Sequence, residues 1–164
     1  MITIYTDGAS RGNPGPGGWG AIISYQKIVD SKQQEWVTEI GGAENHTTNN
    51  RMELTGAIKA LEFVSQLSTG NYLLFTDSEY VTKGMTEWIE RWQKKGWRTA
   101  NRKPVLNQDL WQKLLQLTGG KEVEWKYVAG HTGVSLNERA DEIATSFADN
   151  IVPTLYHGPR DKYK

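Results

Sequence analysis

The chain contains no cysteine. A disulfide framework, a cysteine-based zinc site and a thiol nucleophile are therefore excluded. No stretch approaches the roughly 18 consecutive apolar residues of a membrane-spanning helix. The first residues lead directly into a strand pattern, without the basic and long apolar regions of a secretory signal. These absences predict a protein of the reducing cytoplasm that has no membrane partner.

The chain also lacks a net charge, because 19 lysine and arginine residues balance 19 aspartate and glutamate residues. A balanced total argues against a nucleic-acid-binding protein. The distribution is uneven, however, since residues 91–103 include six basic residues and no acidic one. This basic segment could still contact a polyanion.

The glycine- and proline-rich segment 12–18 lacks the Gly-Lys-Ser/Thr sequence of a phosphate-cradling loop. A turn between two strands explains this segment. The chain has no internal repeat, and its 164 residues are enough for one domain with a sizeable core. We expect that domain over residues 1–150. The proline, glycine and charged residues of 151–164 predict a loosely ordered tail.

The hydrophobic patterns predict an α/β fold with five strands. The first three strands are short and closely spaced, which favours an antiparallel meander. The helix between the third and fourth strands predicts a right-handed parallel connection. The expected result is a mixed five-stranded sheet, first antiparallel and then parallel, with helices on both faces. The predicted strands are Ile2–Thr6, Trp19–Tyr25, Gln34–Ile40, Tyr72–Thr76 and Glu122–Val128, and the predicted helices are Asn50–Gln66, two segments between Ser78 and Trp92, Gln108–Leu117 and Asn137–Phe147.

Four acidic residues occupy positions where a charge is costly. Asp7 and Asp77 end apolar strand patterns, and Glu53 and Asp141 lie on or beside the apolar faces of predicted helices. Strand ends and helices can deliver all four to one crevice at the carboxyl edge of the sheet. Clustered carboxylates repel one another unless they are paired, protonated or bound to a hard cation. The set predicts a site for two Mg²⁺ or Mn²⁺ ions that clamp a phosphodiester.

Each of these acids has an ordinary alternative when it is taken alone. A strand-end aspartate is usually a turn or helix-capping residue. Glu53 could be an acid favoured by the start of its helix, and Asp141 could pair with Arg139. Only the set of four, on elements expected to converge, favours the metal site.

Three further signals bear on function. His131 lies in a predicted loop before the Asp141 helix, where it could move protons or help product leave. Thr48 and Asn49 belong to a helix-capping cluster whose polar groups could also hold phosphates. Tryptophans alternate with cations in the basic segment, which suits a nucleic acid. The alternative for the tryptophans is that they belong to the core.

Several short sequences together resemble type 1 ribonuclease H enzymes of the bacterial kind, and the similarity runs in order through roughly residues 1–150. They are Thr6-Asp7-Gly8, Thr47 to Leu54, Thr76-Asp77-Ser78, Trp88-Ile89, Lys95-Gly96-Trp97, Lys103-Pro104-Val105, Gly130-His131 and Asn137 to Glu142. The resemblance implies a metal-dependent endonuclease that hydrolyses the RNA strand of RNA–DNA hybrids and leaves 5′-phosphate and 3′-hydroxyl ends. It also implies the usual ribonuclease H sheet and two metal ions in each site.

The resemblance assigns roles to individual residues. Asp7, Glu53, Asp77 and Asp141 match the metal-binding catalytic acids, and His131 matches a loop histidine of the active site. The remaining matches concern substrate. They are Asn13 in the loop that senses RNA 2′-hydroxyls, Thr48, Asn49 and Asn107 at the DNA phosphate or minor groove, Trp88 and Trp92 in the DNA channel, and Lys94, Lys95, Trp97 and Arg98 in a basic protrusion.

Two positions depart from the family pattern. His46 stands where bacterial members often have arginine beside the DNA phosphate pocket, which would make that contact weaker or pH-dependent. Glu79 stands where glutamine is common, and its charge would face an anionic substrate.

Three alternatives remain open. A transposase-like nuclease would cut duplex DNA, a binding module would hold the hybrid without turnover, and a reverse-transcriptase domain would be part of a larger chain. The basic tryptophan segment and the Thr48-Asn49 cluster argue against the first alternative. The four acids argue against the second, and the initial methionine with the compact length argues against the third. The expected protein is a free-standing, monomeric enzyme.

Overall fold

The computed structural model describes residues 1–67, 70–129 and 135–163. Six strands form a single mixed sheet in these residues. Among the described helices, none is long and apolar enough to cross a membrane. The strands are β1 (Ile2–Ser10), β2 (Gly15–Val29), β3 (Lys32–Thr47), β4 (Asn71–Thr76), β5 (Glu122–Tyr127) and β6 (His157–Pro159).

The sheet has the strand order β5-β4-β1-β2-β3-β6. The pairs β1–β2, β2–β3 and β3–β6 are antiparallel, whereas β1–β4 and β4–β5 are parallel. The predicted antiparallel meander and parallel second half are therefore confirmed. The strands β2 and β3 are much longer than predicted, because they continue as a hairpin through segments that the polar and glycine-rich sequence marked as loops.

The helices occupy both faces of the sheet, as predicted. Alternate residues of the strands separate the two cores: Ile4 and Ile23 pack with the first helix, whereas Ile22 and Val37 pack against the last helix. The helices are α1 (Asn49–Val64), α2 (Glu79–Lys83), α3 (Ile89–Lys94), α4 (Gln108–Thr118) and α5 (Ser135–Ala148).

The two helical segments predicted between Ser78 and Trp92 are present as α2 and α3, and a π-helical turn, Gly84–Trp88, joins them. A side chain at Gly84 would overlap the ring of Trp111 in α4. Glycine thus allows this turn to pack directly on α4. Of the predicted capping cluster, Thr48 caps the start of α1, since its hydroxyl oxygen accepts a hydrogen bond from the Arg51 N–H at 3.2 Å.

The C-terminal segment adds the sixth strand, which the expected five-stranded sheet did not include. His157 pairs with Thr38 of β3 in the register of the sheet, and the His157 Nδ1 lies 2.7 Å from the Thr38 hydroxyl. Glu39 binds the same segment, because its carboxylate accepts hydrogen bonds from the Tyr156 N–H and the Tyr163 hydroxyl. The segment expected to be a loosely ordered tail is joined to the sheet by these contacts.

Candidate active site

The parallel pairing of β1 with β4 brings two of the four acids together. Thr6 is the register partner of Thr76. Asp7 follows Thr6 within β1, and Asp77 directly follows the end of β4, so the two acids lie side by side at the edge where β4 ends. This is the position that open α/β sheets use for ligands.

Helix α1 supplies Glu53 to the same edge. The helix lies so close to β1 that a Cβ atom at Gly8 would overlap the backbone of Met52 and Glu53. The Gly8 N–H donates to the Glu53 carboxylate and also approaches Asp7 Oδ1 at 2.8 Å. A glycine directly after Asp7 is therefore required for both acids to meet.

Carboxylate oxygens of Asp7, Glu53 and Asp77 all lie within 4.8 Å of one another. Asp141, from α5, lines the same cavity of about 480 Å³, together with Arg11. The structure thus brings together all four acids that the sequence singled out.

The electrostatics of the site are those of unpaired carboxylates. Burial raises the pKa of Asp7, and the nearby charges of Glu53 and Asp77 raise it further. Burial also raises the pKa of Glu53. Within the described ranges, none of the four acids forms a salt bridge with a lysine or arginine. Convergent carboxylate oxygens that are buried or half-buried and have no basic partner are a donor set that hard divalent cations prefer. The residues therefore fit a metal site.

A second cavity, of about 640 Å³, adjoins the acidic one and shares Ser10 and Asn49 with it. It brings together four of the predicted substrate-binding residues from three separate parts of the chain. Its lining consists of Ser10, Gly12, Asn13, Thr48, Asn49, Asn50, Leu106 and Asn107.

Hydrogen bonds fix the polar groups at the mouth of this second cavity. Asn13 Oδ1 accepts from the Asn49 N–H at 3.0 Å, which ties the β1–β2 loop to the start of α1. The Thr48 oxygen is occupied by its capping bond, so its hydroxyl hydrogen remains available as a donor. The cavity presents uncharged amides and a hydroxyl, which can contact phosphate oxygens or sugar edges.

The tryptophans form a continuous aromatic surface. The ring centroid of Trp92 lies 5.7 Å from Trp88, 6.2 Å from Trp97 and 5.3 Å from the fully buried Trp111. Trp88, Trp92 and Trp97 are half-buried. Both interpretations of these tryptophans therefore apply, because Trp92 and Trp97 pack against the core and Trp88 packs on Tyr80 and Trp92, while part of each ring stays accessible.

The basic loop beyond α3 is exposed and internally braced. The backbone of Arg98 bridges to Pro104, and the Arg98 side chain donates to the Arg102 carbonyl at 3.1 Å. Lys94 forms only a solvent-exposed pair with Glu90 at 3.3 Å. Lys95 is also exposed. These cations remain accessible to a polyanion.

The remaining predicted residues are less informative in the structure. His131 lies outside the described residues. His46 is exposed on β3. Glu79 is also exposed, and its carboxylate lies 3.2 Å from Lys83, so part of its charge is balanced by a neighbour on α2.

Sequence reasoning missed several residues of the second cavity and its support. Leu106 is 74% exposed although its neighbour Val105 is buried, and it lines the cavity beside Asn107. Arg51 and Tyr80 contact Asn107 from behind. No local pattern identifies Tyr80, because its contact with Asn107 joins residues that are far apart in the chain.

Comparison with known proteins gives consistent matches over most of the chain. A family model described as RNase H matches residues 1–149. A protein named Ribonuclease H from Halorhodospira halophila is 51% identical over 152 residues, which is 93% of this chain and 95% of the relative. A protein of the same name from Cyanothece sp. strain PCC 7425 is 55% identical over 152 residues, 93% of this chain and 92% of the relative.

A solved structure is similar in both fold and sequence. The crystal structure of LC9-RNase H1, described as a type 1 RNase H with the type 2 active-site motif, matches with a TM-score of 0.78 and 32% identity. The match covers 95% of this chain and 76% of that one.

Proposed function

The chain belongs to the ribonuclease H family, and from this premise we propose that it hydrolyses the RNA strand of RNA–DNA hybrids by a two-metal-ion mechanism. The observation that carries the proposal is the convergence of Asp7, Glu53 and Asp77 within 4.8 Å, with Asp141 lining the same cavity. The products would be 5′-phosphate and 3′-hydroxyl ends.

In the proposed mechanism, the four acids hold the cofactor and orient the scissile phosphodiester. Two Mg²⁺ ions, or Mn²⁺ ions, would neutralise the carboxylates, activate a water molecule and stabilise the leaving oxygen. Asp7 lies in β1 and Asp77 directly follows β4, so the pairing of these two strands fixes their separation. Glu53 is fixed by the close approach of α1, and Asp141 closes the cavity from α5.

His131 is proposed to act as a proton carrier or in product release. An imidazole is suited to this task because its ordinary pKa lies near neutral pH.

Selection of a hybrid over other duplexes is assigned to the second cavity and to the tryptophan surface. A metal site alone cleaves phosphodiesters without distinguishing the strands, so the choice needs contacts to 2′-hydroxyls on one strand and to the DNA backbone on the other. Asn13, Thr48, Asn49 and Asn107 line the cavity and would make such contacts. Trp88 and Trp92 would pack against the DNA strand. The exposed cations Lys94, Lys95 and Arg98, with Trp97, would add affinity without reading bases.

The proposed enzyme acts as a monomer in the cytoplasm. Its test is cleavage of an end-labelled RNA–DNA hybrid, compared with matched RNA and DNA duplexes, in Mg²⁺, Mn²⁺ or a chelator. We expect the RNA strand of the hybrid alone to be cut, and only with metal. Cleavage of the DNA duplex would favour a transposase-like nuclease, and binding of the hybrid without turnover would favour a binding module.

A further inference from the structure

The Asn107 side chain lines the second cavity, yet its amide is already held by two residues of the protein. Arg51 Nη1 donates to Asn107 Oδ1 at 3.3 Å, and Asn107 Nδ2 donates to the Tyr80 hydroxyl oxygen at 3.1 Å. A guanidinium has only donors, so the oxygen of the amide must face Arg51. The amide nitrogen therefore faces Tyr80, and the protein itself sets which way the amide points.

The two residues that hold the amide are themselves fixed. Arg51 forms a two-pronged pair with Asp109, with distances of 3.0 and 2.8 Å. The Tyr80 hydroxyl accepts a second hydrogen bond, at 3.1 Å, from the indole N–H of Trp111. Since Trp111 is fully buried, the Tyr80 hydroxyl is anchored to the core.

The side chain of Asn107 does not cap the helix that follows this residue. Asn107 is the N-cap residue of α4, with φ of 60° and ψ of 29° in the left-handed region. Asparagine tolerates this conformation better than most residues. An asparagine at an N-cap usually accepts a hydrogen bond from its own helix, but this side chain makes no capping bond.

We propose that Tyr80 and Arg51 are positioning residues that hold the Asn107 amide so that its second N–H donates to an acceptor atom of the DNA strand. The inference rests on the proposed function and deepens it by assigning a role to residues behind the cavity. A donor that is already oriented loses little rotational freedom when the substrate binds. The benefit is therefore expected in substrate affinity more than in the chemical step.

A double-mutant cycle tests the proposal. Tyr80→Phe removes the acceptor of the amide, and we expect KM for the hybrid to rise about three- to tenfold, the value of one neutral hydrogen bond, with a smaller change in kcat. In an Asn107→Ala background, Tyr80→Phe should change KM no further, because the group that it positions is gone. Equal effects of Tyr80→Phe in both backgrounds would overturn the proposal.

Tyr25→Phe is the matched control. Its hydroxyl lies 2.9 Å from the Thr38 hydroxyl in a buried contact between β2 and β3, and Tyr25 does not line the cavity. This variant loses a hydroxyl contact and some stability, as Tyr80→Phe does. KM for the hybrid should stay unchanged in Tyr25→Phe. A rise in KM equal to that in Tyr80→Phe would mean that the Tyr80 effect comes from general destabilisation.

A measurement without substrate separates this proposal from the proposed function. The side-chain amide of Asn107, assigned by its loss in Asn107→Ala, should show a high NMR order parameter that falls in Tyr80→Phe and in Arg51→Lys. An amide that is equally mobile in all three proteins would overturn the positioning role. Failure of the unaltered protein to cut a hybrid would instead refute the proposed function, and the amide measurement would then decide the positioning role by itself.

Discussion

Among the acids of the described cluster, Asp7 has the surroundings that most disfavour an ionised carboxylate. It is 3% exposed, and burial together with the charges of Glu53 and Asp77 raises its pKa. A carboxyl whose pKa is higher in the folded protein than in the unfolded protein stabilises the fold in its protonated form. This contribution is complete at a pH below the unfolded pKa, near 3.9. That contribution is lost as the pH rises through the folded pKa, so the part that Asp7 adds to the stability of metal-free protein should decrease from acid toward alkaline pH.

Asp7→Asn should abolish cleavage and yet raise the melting temperature of metal-free protein. The amide keeps the size of the side chain and removes one of the repelling charges. Each kcal/mol of relieved repulsion is worth about 2–4 °C for a chain of this length. Thermal unfolding in a chelator at pH 8, with a cleavage assay in Mg²⁺, checks both parts.

The control for this prediction is Asp30→Asn, which removes an exposed charge from the left-handed turn between β2 and β3. Asparagine tolerates that conformation, so the melting temperature and the cleavage rate should both be unchanged. An Asp7→Asn protein that cleaves in Mg²⁺, or that melts well below the unaltered protein, would contradict the metal-site interpretation.

His131→Ala should slow turnover but leave measurable activity, in contrast to Asp7→Asn. An imidazole that only moves protons or aids product release can be replaced in part by water or buffer, whereas a metal ligand cannot. Single-turnover and steady-state rates on the hybrid distinguish the two cases. Complete loss of activity in His131→Ala would assign the residue a role in the chemical step itself.

The four acids could be predicted at the residue level because each breaks a local rule. An acid at the end of a buried strand or on an apolar helix face is visible in the sequence without knowledge of contacts. The support of Asn107 could not be predicted in this way. Tyr80 and Arg51 follow the ordinary patterns of their own helices, and only the packing of α1, α2 and α4 brings them to one amide.

At the scale of elements, the basic loop between α3 and α4 is the clearest functional segment outside the two cavities. Its cations are exposed, and its backbone is braced by the bridge between Arg98 and Pro104. Accessible cations on a braced loop bind phosphates with little loss of chain entropy.

Alanine replacement of Lys94, Lys95 and Arg98 together should raise KM for the hybrid and flatten its dependence on salt. Each lost phosphate contact lowers the slope of log affinity against log salt by roughly 0.7–0.9. Steady-state kinetics at several salt concentrations measure the change. The chemical step should be little altered, because the loop does not contribute to the acidic cavity in the described residues.

A matched variant replaces Lys27, Lys32 and Lys121 with alanine. Lys27 and Lys32 lie near the turn of the β2–β3 hairpin, and Lys121 directly precedes β5. The variant loses the same formal charge at the opposite end of the sheet. If this variant flattened the salt dependence as much as the loop variant did, the effect would come from total charge, and the loop would have no special role.

Elements with strong periodicity were predicted well, and those held by long-range pairing were not. The apolar stripe of α1 and the apolar run of β4 are local signals. The β2–β3 hairpin extends beyond its alternating pattern because neighbouring backbone groups pair regardless of side chains. The three residues of β6 have no strand-like alternation, and their pairing with β3 depends on contacts that the sequence does not display.

At the scale of the whole molecule, Glu39 joins the sheet, α5 and the C-terminal segment. Its side chain is 2% exposed and pairs with Arg139 of α5 at 2.7 Å. Arg139 also donates to the Thr154 carbonyl, at 2.9 Å. Burial alone would raise the pKa of Glu39, but hydrogen bonds from Arg139, the Tyr156 N–H and the Tyr163 hydroxyl outweigh it and lower the pKa below its usual value.

Glu39→Gln should therefore destabilise the fold strongly at neutral pH. Removing the charge of Glu39 leaves Arg139 with its exposed partner Glu142 and weakens the hydrogen bonds that the buried carboxylate accepts, which costs about 2 kcal/mol, or roughly 4–8 °C in melting temperature. Because the folded pKa of Glu39 lies below the unfolded value near 4.3, its contribution is complete above that value and is lost as the pH falls through the folded pKa. The difference between the two proteins should be full at pH 7 and should shrink in acid.

Urea unfolding across this pH range measures the effect, and Glu35→Gln on the same strand is the control. Glu35 is exposed and only accepts a bond from the Ser24 hydroxyl at 3.2 Å, so its replacement should change stability by less than about 0.5 kcal/mol. A Glu39→Gln protein as stable as Glu35→Gln at pH 7 would mean that the C-terminal segment is not held through this carboxylate. A loss that persisted unchanged in acid would mean that packing, rather than charge, joins the segment to α5 and the sheet.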